Sequence, residues 1–160
     1  MNLLDKLNKK TIISPLVSIC KQDVMHELLN HLLKLNYLTS TVKLFEHIDN
    51  KDKQFNSAIG RGIAYHYNTS VEISETVAVL GISKSGIDYG ANDGLLCHFI
   101  LLIIEPQHEE NKHRILINLF QNMIKDSNVR SELLNGQSPI DLEQIIKNWE
   151  IEQNTINDII

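Results

Sequence analysis

Apolar side chains recur at intervals of three and four residues in several segments, the pattern of a helix with one buried face. They predict helices beginning near Asp23, after Thr41 and from about Asn111, with shorter helical patterns over residues 129–134 and 142–149. Asp23 is a plausible N-cap, and Gly136 follows the fourth segment as a stop signal. The long segment after Asn111 has the widest apolar face.

Two other segments have the composition of strands. Residues 77–80 and 97–104 are short and apolar, and the second is almost uninterrupted, as expected for a strand covered on both faces. Polar or turn-forming residues dominate 50–57 and 84–94, which we predict to be loops. Strands interleaved with helices, one strand being buried on both faces, indicate an α/β sandwich.

The chain has 160 residues, enough for one domain with its own core. It contains no repeat, no low-complexity segment and no linker-like stretch. We therefore predict one domain over residues 1–150, followed by a solvated, frayed tail over residues 151–160.

Composition excludes several classes of function. The net charge is −5 and no basic stripe is present, so we expect no binding to nucleic acid. The longest apolar run, residues 99–104, is too short to cross a bilayer, and the first residues do not resemble a signal peptide. The two cysteines form no metal motif and suit a reducing compartment. We expect a cytoplasmic protein without membrane insertion, metal or cofactor.

The most informative segment covers residues 51–66, with the sequence KDKQFNSAIGRGIAYH. After it come the apolar segment 77–80, the turn 86–90 (GIDYG), the segment 99–106 (FILLIIEP) and a helix start at Lys112-His113. In this order the segments resemble the type-2 enzyme IIA domain of the bacterial sugar phosphotransferase system. The family's motif, similar to R-E-x-x-x-S-T-G-I-G-x-G-I-A-I-P-H, ends in a phosphorylated histidine.

The resemblance covers almost the whole chain and includes the fructose, mannitol and nitrogen-regulatory members of the class. It implies a single-domain sandwich with a central mixed β-sheet flanked by helices on both faces. It also implies a histidine phosphocarrier, here with His66 as the phosphoryl acceptor and His113 as the residue that stabilises the phosphoryl group. Lys51, Asn56, Ser57, Gly60 and Gly62 would then bind phosphate.

The chemistry of a carrier is compatible with these residue types. An imidazole is mostly neutral near pH 7 and is therefore an available nucleophile. Phosphoryl transfer requires mainly positioning and stabilisation of spread negative charge. Backbone N–H groups in the Gly60–Gly62 turn and a second imidazole are suitable donors. Lys51, where the family has arginine, would offer a point charge without the bidentate fork.

The register around the histidine is open. The segment is one residue shorter than the family's motif, so a deletion placed before the histidine aligns His66 with the acceptor. A gap-free match instead places His66 on the family's proline and Tyr67 on its histidine. The distances from His66 to the later landmarks are compatible with the first alignment, and a deletion just after Tyr67 would restore the same register.

Two functions follow from this ambiguity. The first is a carrier that accepts phosphate from an HPr-type donor and passes it to a IIB partner, or that acts as a phosphorylation-dependent regulator of the nitrogen-regulatory kind. The second is a degenerate IIA-like interaction module without phosphate, for which the missing proline, Lys51 and Phe55 argue. A side chain of Tyr67 facing His113 would favour the module.

Overall fold

A computed structural model describes residues 1–109 and 111–158. The chain begins with a short helix and a short strand, followed by two helices, four strands and three helices. In order these are α1 (Leu3–Lys6), β1 (Ile12–Ile13), α2 (Lys21–Lys34), α3 (Val42–Gln54), β2 (Ala58–Gly60), β3 (Ile63–Ser70), β4 (Val77–Ile87), β5 (Cys97–Pro106), α4 (Lys112–Lys125), α5 (Ser127–Asn135) and α6 (Pro139–Asn157).

The five strands form one mixed sheet in the order β1-β4-β5-β3-β2. β4 and β5 are antiparallel, whereas β3 runs parallel to β5 and β1 runs parallel to β4. β2 and β3 form an antiparallel hairpin at one edge. The β3–β5 pairing is continuous from Ile63 with Phe99 to Ser70 with Pro106, so the register of β3 is fixed along its length.

Helices cover both faces of the sheet, which accounts for the uninterrupted apolar run in β5. Helices α2 and α3 pack on one face, and we call this the α2–α3 face. Helices α1, α4, α5 and α6 pack on the other, the α4–α6 face. Alternate residues of β5 belong to the two cores: Ile100 and Leu102 face α2–α3, whereas Leu101 and Ile103 face α4–α6.

Local signals explain where several helices begin and end. The Asp126 carboxylate accepts from the backbone N–H groups of Asn128 and Val129 at the start of α5. At the start of α6, the Ser138 hydroxyl accepts from Asp141 N–H, with proline in the first turn.

None of the helices in the described part of the chain is both long and apolar enough to cross a membrane.

The α/β fold with helices on both faces is confirmed. Some predicted boundaries are wrong. Helix α2 has Cys20 rather than Asp23 as its N-cap, and α3 continues to Gln54 through a segment predicted as a loop. Strand β4 continues through an irregular register to Ile87, inside the predicted 84–94 loop. Helix α6 continues to Asn157, and the side chains of residues 151–157 are exposed; residues 159–160, the end of the predicted tail, lie outside the described part.

Candidate functional site

Strand β3 directs neighbouring side chains to opposite sides of the sheet, as every strand does. Ala64 belongs to the core of the α2–α3 face, whereas Ile63, Tyr65 and Tyr67 pack with the core of the α4–α6 face. His66, between the two tyrosines, therefore lies on the α2–α3 side. Since His113 is on α4, the two predicted catalytic histidines are separated by the sheet.

His66 is enclosed on its side of the sheet and is only 5% exposed. The Tyr89 hydroxyl oxygen lies 3.1 Å from its Nε2, and the Ser57 hydroxyl oxygen lies 3.5 Å from the same atom. Burial lowers the pKa of His66 to about 4, an effect that the nearby Asp52 carboxylate opposes. The imidazole is therefore neutral at pH 7.

Asp52 is the charged group beside His66. Its carboxylate accepts from the Ser57 hydroxyl and from Ser57 N–H, and it forms an ion pair with Lys21. Burial raises the pKa of Asp52, but hydrogen bonds from Lys21 and Ser57 outweigh burial and lower it. The polar group at His66 thus consists of a neutral imidazole, a phenol, a hydroxyl and a paired carboxylate.

Tyr67 occupies the position against His113. The two rings are stacked, with centroids 4.0 Å apart and an angle of 23° between their planes. Lys51 lies at the same residue: its Nζ is 4.8 Å from the Tyr67 ring centroid and donates to the Tyr67 carbonyl oxygen at 3.1 Å. Tyr67, and not His66, is thus the β3 side chain that faces His113, which is the contact that the gap-free match to the motif predicts.

Glu105 connects these two rings through a buried carboxylate that is 1% exposed. Its Oε2 accepts from the Tyr67 hydroxyl and from His113 Nδ1–H, both at 2.9 Å, and its Oε1 accepts from His113 N–H at 3.1 Å. Burial, followed by the hydrogen bond to Glu105, raises the pKa of Tyr67 to about 12. Glu105 was not among the predicted site residues, although a single carboxylate at the end of an apolar strand is a detectable signal.

A cleft of about 340 Å³ lies between the end of α3 and strands β2 and β3. Both His66 and Tyr67 line it, together with Lys51, Asp52 and Ser57. Two large apolar side chains of the cleft are open to solvent: Phe55 is 75% exposed and Ile59 is 52% exposed. The cleft therefore combines polar groups with an apolar surface.

The other predicted phosphate ligands have structural partners of their own. The Asn56 side-chain amide donates to the carbonyl oxygens of Tyr89 and Gly90. Gly60 and Gly62 form the β2–β3 turn, about 16 Å from Tyr67 along an extended strand. Within that turn the Arg61 N–H donates to the Asp93 carboxylate.

The structure thus brings Ser57 to His66, and it brings Lys51 and His113 to Tyr67. It does not bring His66 to His113, and the Gly60–Gly62 turn is distant from both. Residues 1–109 and 111–158 contain no group of three or more histidine, cysteine or acidic residues arranged to hold a metal ion.

The sequence matches a family model described as "Phosphoenolpyruvate-dependent sugar phosphotransferase system, EIIA 2" over residues 5–149. The chain belongs to this family. The predicted resemblance is therefore confirmed over nearly the whole length of the chain.

A curated relative is the fructose-specific EIIABC component of the phosphotransferase system of Bacillus subtilis. It is 27% identical over 138 residues, which cover 86% of this chain and 22% of the relative. The chain thus spans about a fifth of that multidomain protein.

Solved structures of the EIIA 2 type share the fold. The nitrogen regulatory protein IIA-Ntr of Neisseria meningitidis superimposes with a TM-score of 0.79 at 15% identity, covering 90% of this chain and 98% of that one. IIA mannitol of Escherichia coli gives a TM-score of 0.73 at 19% identity, covering 88% and 99%. The same mannitol enzyme IIA in complex with phosphorylated enzyme IIB also matches, with a TM-score of 0.73 at 18% identity over 89% and 98%.

Proposed function

We propose that this EIIA 2 family member acts as a regulatory interaction module that carries no phosphate on His66. The observation that carries the proposal is the stacking of Tyr67, in place of a histidine, on His113. The family's acceptor position is then held by a phenol. The remaining histidine of β3 lies on the far side of the sheet, where it is 5% exposed.

The chemistry of the phenol supports this proposal. A carrier needs a neutral nucleophile that a bulky donor protein can reach, and its phosphorylated form must transfer the group onward. The Tyr67 hydroxyl is protonated at pH 7, its pKa being raised to about 12, and it donates a hydrogen bond to the Glu105 carboxylate. An aryl phosphate ester is also far less reactive in transfer than a phosphoimidazole. Tyr67 is therefore a poor substitute for a carrier histidine.

The open side of the cleft suits a protein partner. Exposed Phe55 and Ile59 supply apolar contact area of the kind that is enriched at the centre of protein interfaces, and Lys51 lies beside them. A mannitol IIA of this fold was solved in complex with a phosphorylated IIB. We propose that an HPr-type protein, a IIB-type domain or a regulated target docks on this side of the present chain.

A phosphocarrier acting through His66 is the second candidate, with an HPr-type donor and a IIB acceptor. Membership of a phosphotransferase family favours it, as does a neutral imidazole that lines the cleft beside Ser57. Its difficulty is access: Tyr89 and Ser57 adjoin Nε2, and the side chain is buried.

Phosphoryl labelling separates the two functions. The protein is incubated with labelled phosphoenolpyruvate, enzyme I and an HPr-type donor from its own organism, and acid-labile phosphate is measured. A IIA protein that accepts phosphate from the same donor serves as the positive control. We expect no acid-labile label on the wild type.

The variant Tyr67→His tests the geometric argument directly, because it restores an imidazole against His113. We expect this variant to acquire acid-labile phosphate, and the double variant Tyr67→His/His113→Ala to lose most of it. Acid-labile phosphate on the wild type that disappears in His66→Ala would establish the carrier and refute the module.

A further inference from the structure

A second cavity, of about 350 Å³, lies at the other end of β3. It is bounded by the β2–β3 turn, the end of α4 and the start of α5, and it shares only Ile59 with the cleft described above. Neither His66 nor Tyr67 lines it. This cavity is therefore separate from the site on which the proposed function depends.

Three cationic side chains line the second cavity, although the protein is acidic as a whole, with a net charge of −5. They are Arg61, Lys125 and Arg130. Within residues 1–109 and 111–158, none of the three forms an ion pair with a carboxylate. Positive charges that converge without a counter-charge repel one another, and an anion between them would relieve the repulsion.

The acidic residues of the adjoining segments are engaged with backbone groups. Asp93 accepts from the N–H groups of Arg61 and Leu95. Asp126 accepts from two N–H groups in the first turn of α5. Neither of these two carboxylates forms an ion pair with a cationic side chain of the cavity.

The backbone of Arg61 and the side chain of Arg130 are each held by a specific contact. Arg61 has a φ of 57°, between two glycines that also have positive φ, and the hydrogen bond to Asp93 fixes this left-handed backbone. The Arg130 guanidinium lies over the Phe99 ring, 5.6 Å from its centroid. Burial, and then the charge of Arg61, lower the pKa of Arg130, which indicates that the two guanidinium groups act on each other. Lys125 lies in the last turn of α4, where the helix dipole stabilises a cation without any ligand. The evidence for an anion site therefore comes from the two arginines.

We propose that this cavity binds a small organic phosphate monoester. The forked guanidinium groups of Arg61 and Arg130 match the oxygens of a phosphoryl group, and Ser127 adds a hydroxyl donor. Ile59, Ile63 and Ile124 form an apolar wall for the organic part. The volume lies at the small end of the range for ligand sites, which suits a compact ligand.

The test uses the intact protein labelled with ¹⁵N and titrated at constant ionic strength with phenyl phosphate, inorganic phosphate and phenol. We expect phenyl phosphate to cause saturable shifts of the backbone amides of Gly62, Ser127 and Arg130. Its dissociation constant should be several-fold lower than that of inorganic phosphate, and phenol should cause no saturable shift. Equal affinities for phenyl phosphate and inorganic phosphate would refute an organic ester as the ligand.

Charge-matched variants identify the site. Arg61→Gln/Arg130→Gln should weaken phenyl phosphate binding at least tenfold, whereas Lys34→Gln/Lys43→Gln, which removes two exposed cations from α2 and α3, should change it less than twofold. If the double variant unfolds, Arg61→Gln alone replaces it in the titration, because the Arg61 side chain is exposed. Absence of saturable shifts, or equal weakening by both double variants, would overturn the proposal. Because neither variant touches the Tyr67 site, this result is independent of the labelling experiment.

Discussion

At position 67 a phenol lies against His113, where the gap-free motif match places the family's histidine. The assignment of His66 as the acceptor stays a prediction, and its geometric difficulty is that alternate residues of a strand face opposite sides of a sheet, so that His66 and His113 lie on different sides. If the alignment is shifted by one residue along β3, the side chain assigned to the acceptor position changes to the opposite face of the sheet. Ile63 and Ala64 belong to different cores, which shows the same alternation at the start of β3.

The buried imidazole of His66 predicts a dependence of stability on pH. Its pKa is about 4 in the folded protein and about 6.5 in an unfolded chain. Above pH 6.5 both states are neutral. As the pH falls from 6.5 to 4 the unfolded state binds a proton first, so this contribution to stability is lost, and it levels off below pH 4.

The expected loss is on the order of 3 kcal/mol of unfolding free energy. Urea unfolding of the wild type and of His66→Gln, at several values between pH 7.5 and 4, measures it. The variant should show a shallower pH dependence over this window, since glutamine does not titrate. Parallel curves for the two proteins would show that His66 is accessible to protons in the folded state.

Among the elements, the β2–β3 turn is the most constrained short segment. Gly60, Arg61 and Gly62 all have positive φ, and the carbonyl oxygen of Gly62 accepts from the N–H groups of His98 and Phe99. The turn therefore joins the sheet edge to the start of β5. We infer a structural role for the turn, which is to fix the register of β3; that Gly60 and Gly62 bind phosphate stays a prediction.

Gly62→Ala tests this role. A Cβ there would lie 3.1 Å from both the Arg130 guanidinium and the Leu96 carbonyl oxygen, at a φ of 76°. The left-handed backbone alone costs about 1–2 kcal/mol for a residue with a side chain, and the contacts should add about 1 kcal/mol or more.

Gly94→Ala is the matched control, because Gly94 has a φ of 72° and open space around its Cβ position. Thermal or urea unfolding should rank Gly62→Ala as clearly less stable than Gly94→Ala. Equal losses for the two variants would mean that the turn can shift to admit a methyl group.

Element types were predictable where the pattern of apolar residues was strong, and boundaries were less so. The long apolar face of α4 and the buried run of β5 appear where they were predicted. The last two turns of α3 are polar because they are largely exposed, so periodicity gave no signal there. β1 has two residues and owes its assignment to its pairing with β4, which no local pattern shows. For the candidate site, the resemblance pointed to Lys51 and His113, whose functional roles stay predictions, whereas Glu105 and the side of the sheet that each histidine occupies depend on tertiary pairing.

At the scale of the whole molecule, the sheet divides the protein into two chemically different halves. Its α2–α3 face holds buried His66 and the half-buried Asp52–Lys21 ion pair, whereas its other face holds the contacts among Tyr67, Glu105 and His113. The cleft at the sheet edge is lined from both halves and carries exposed Phe55 and Ile59. This edge is where we expect a protein partner to dock.

Phe55→Ser/Ile59→Ser should therefore weaken binding of an HPr-type or IIB-type partner at least tenfold, because it removes two apolar contacts that an interface would bury. Isothermal titration calorimetry against the purified partner measures the change. The melting temperature should stay within a few degrees of the wild type, since both side chains are exposed.

Val17→Ser/Ile140→Ser removes two other exposed apolar side chains, away from the cleft, and serves as the control. We expect it to leave the affinity unchanged. Equal affinities for the wild type and both double variants would place the docking surface elsewhere.

The stack of Tyr67 on His113 has a consequence for how this protein and its relatives change over generations. In the standard genetic code, both tyrosine codons become histidine codons by one transition in the first base. The phenol-bearing state is thus a single nucleotide away from an imidazole in the same place, with Lys51 and His113 already beside it. Under the proposed function, a lineage with this sheet register would exchange a phosphate-independent form for a phosphate-carrying one without insertion, deletion or rebuilding of the fold.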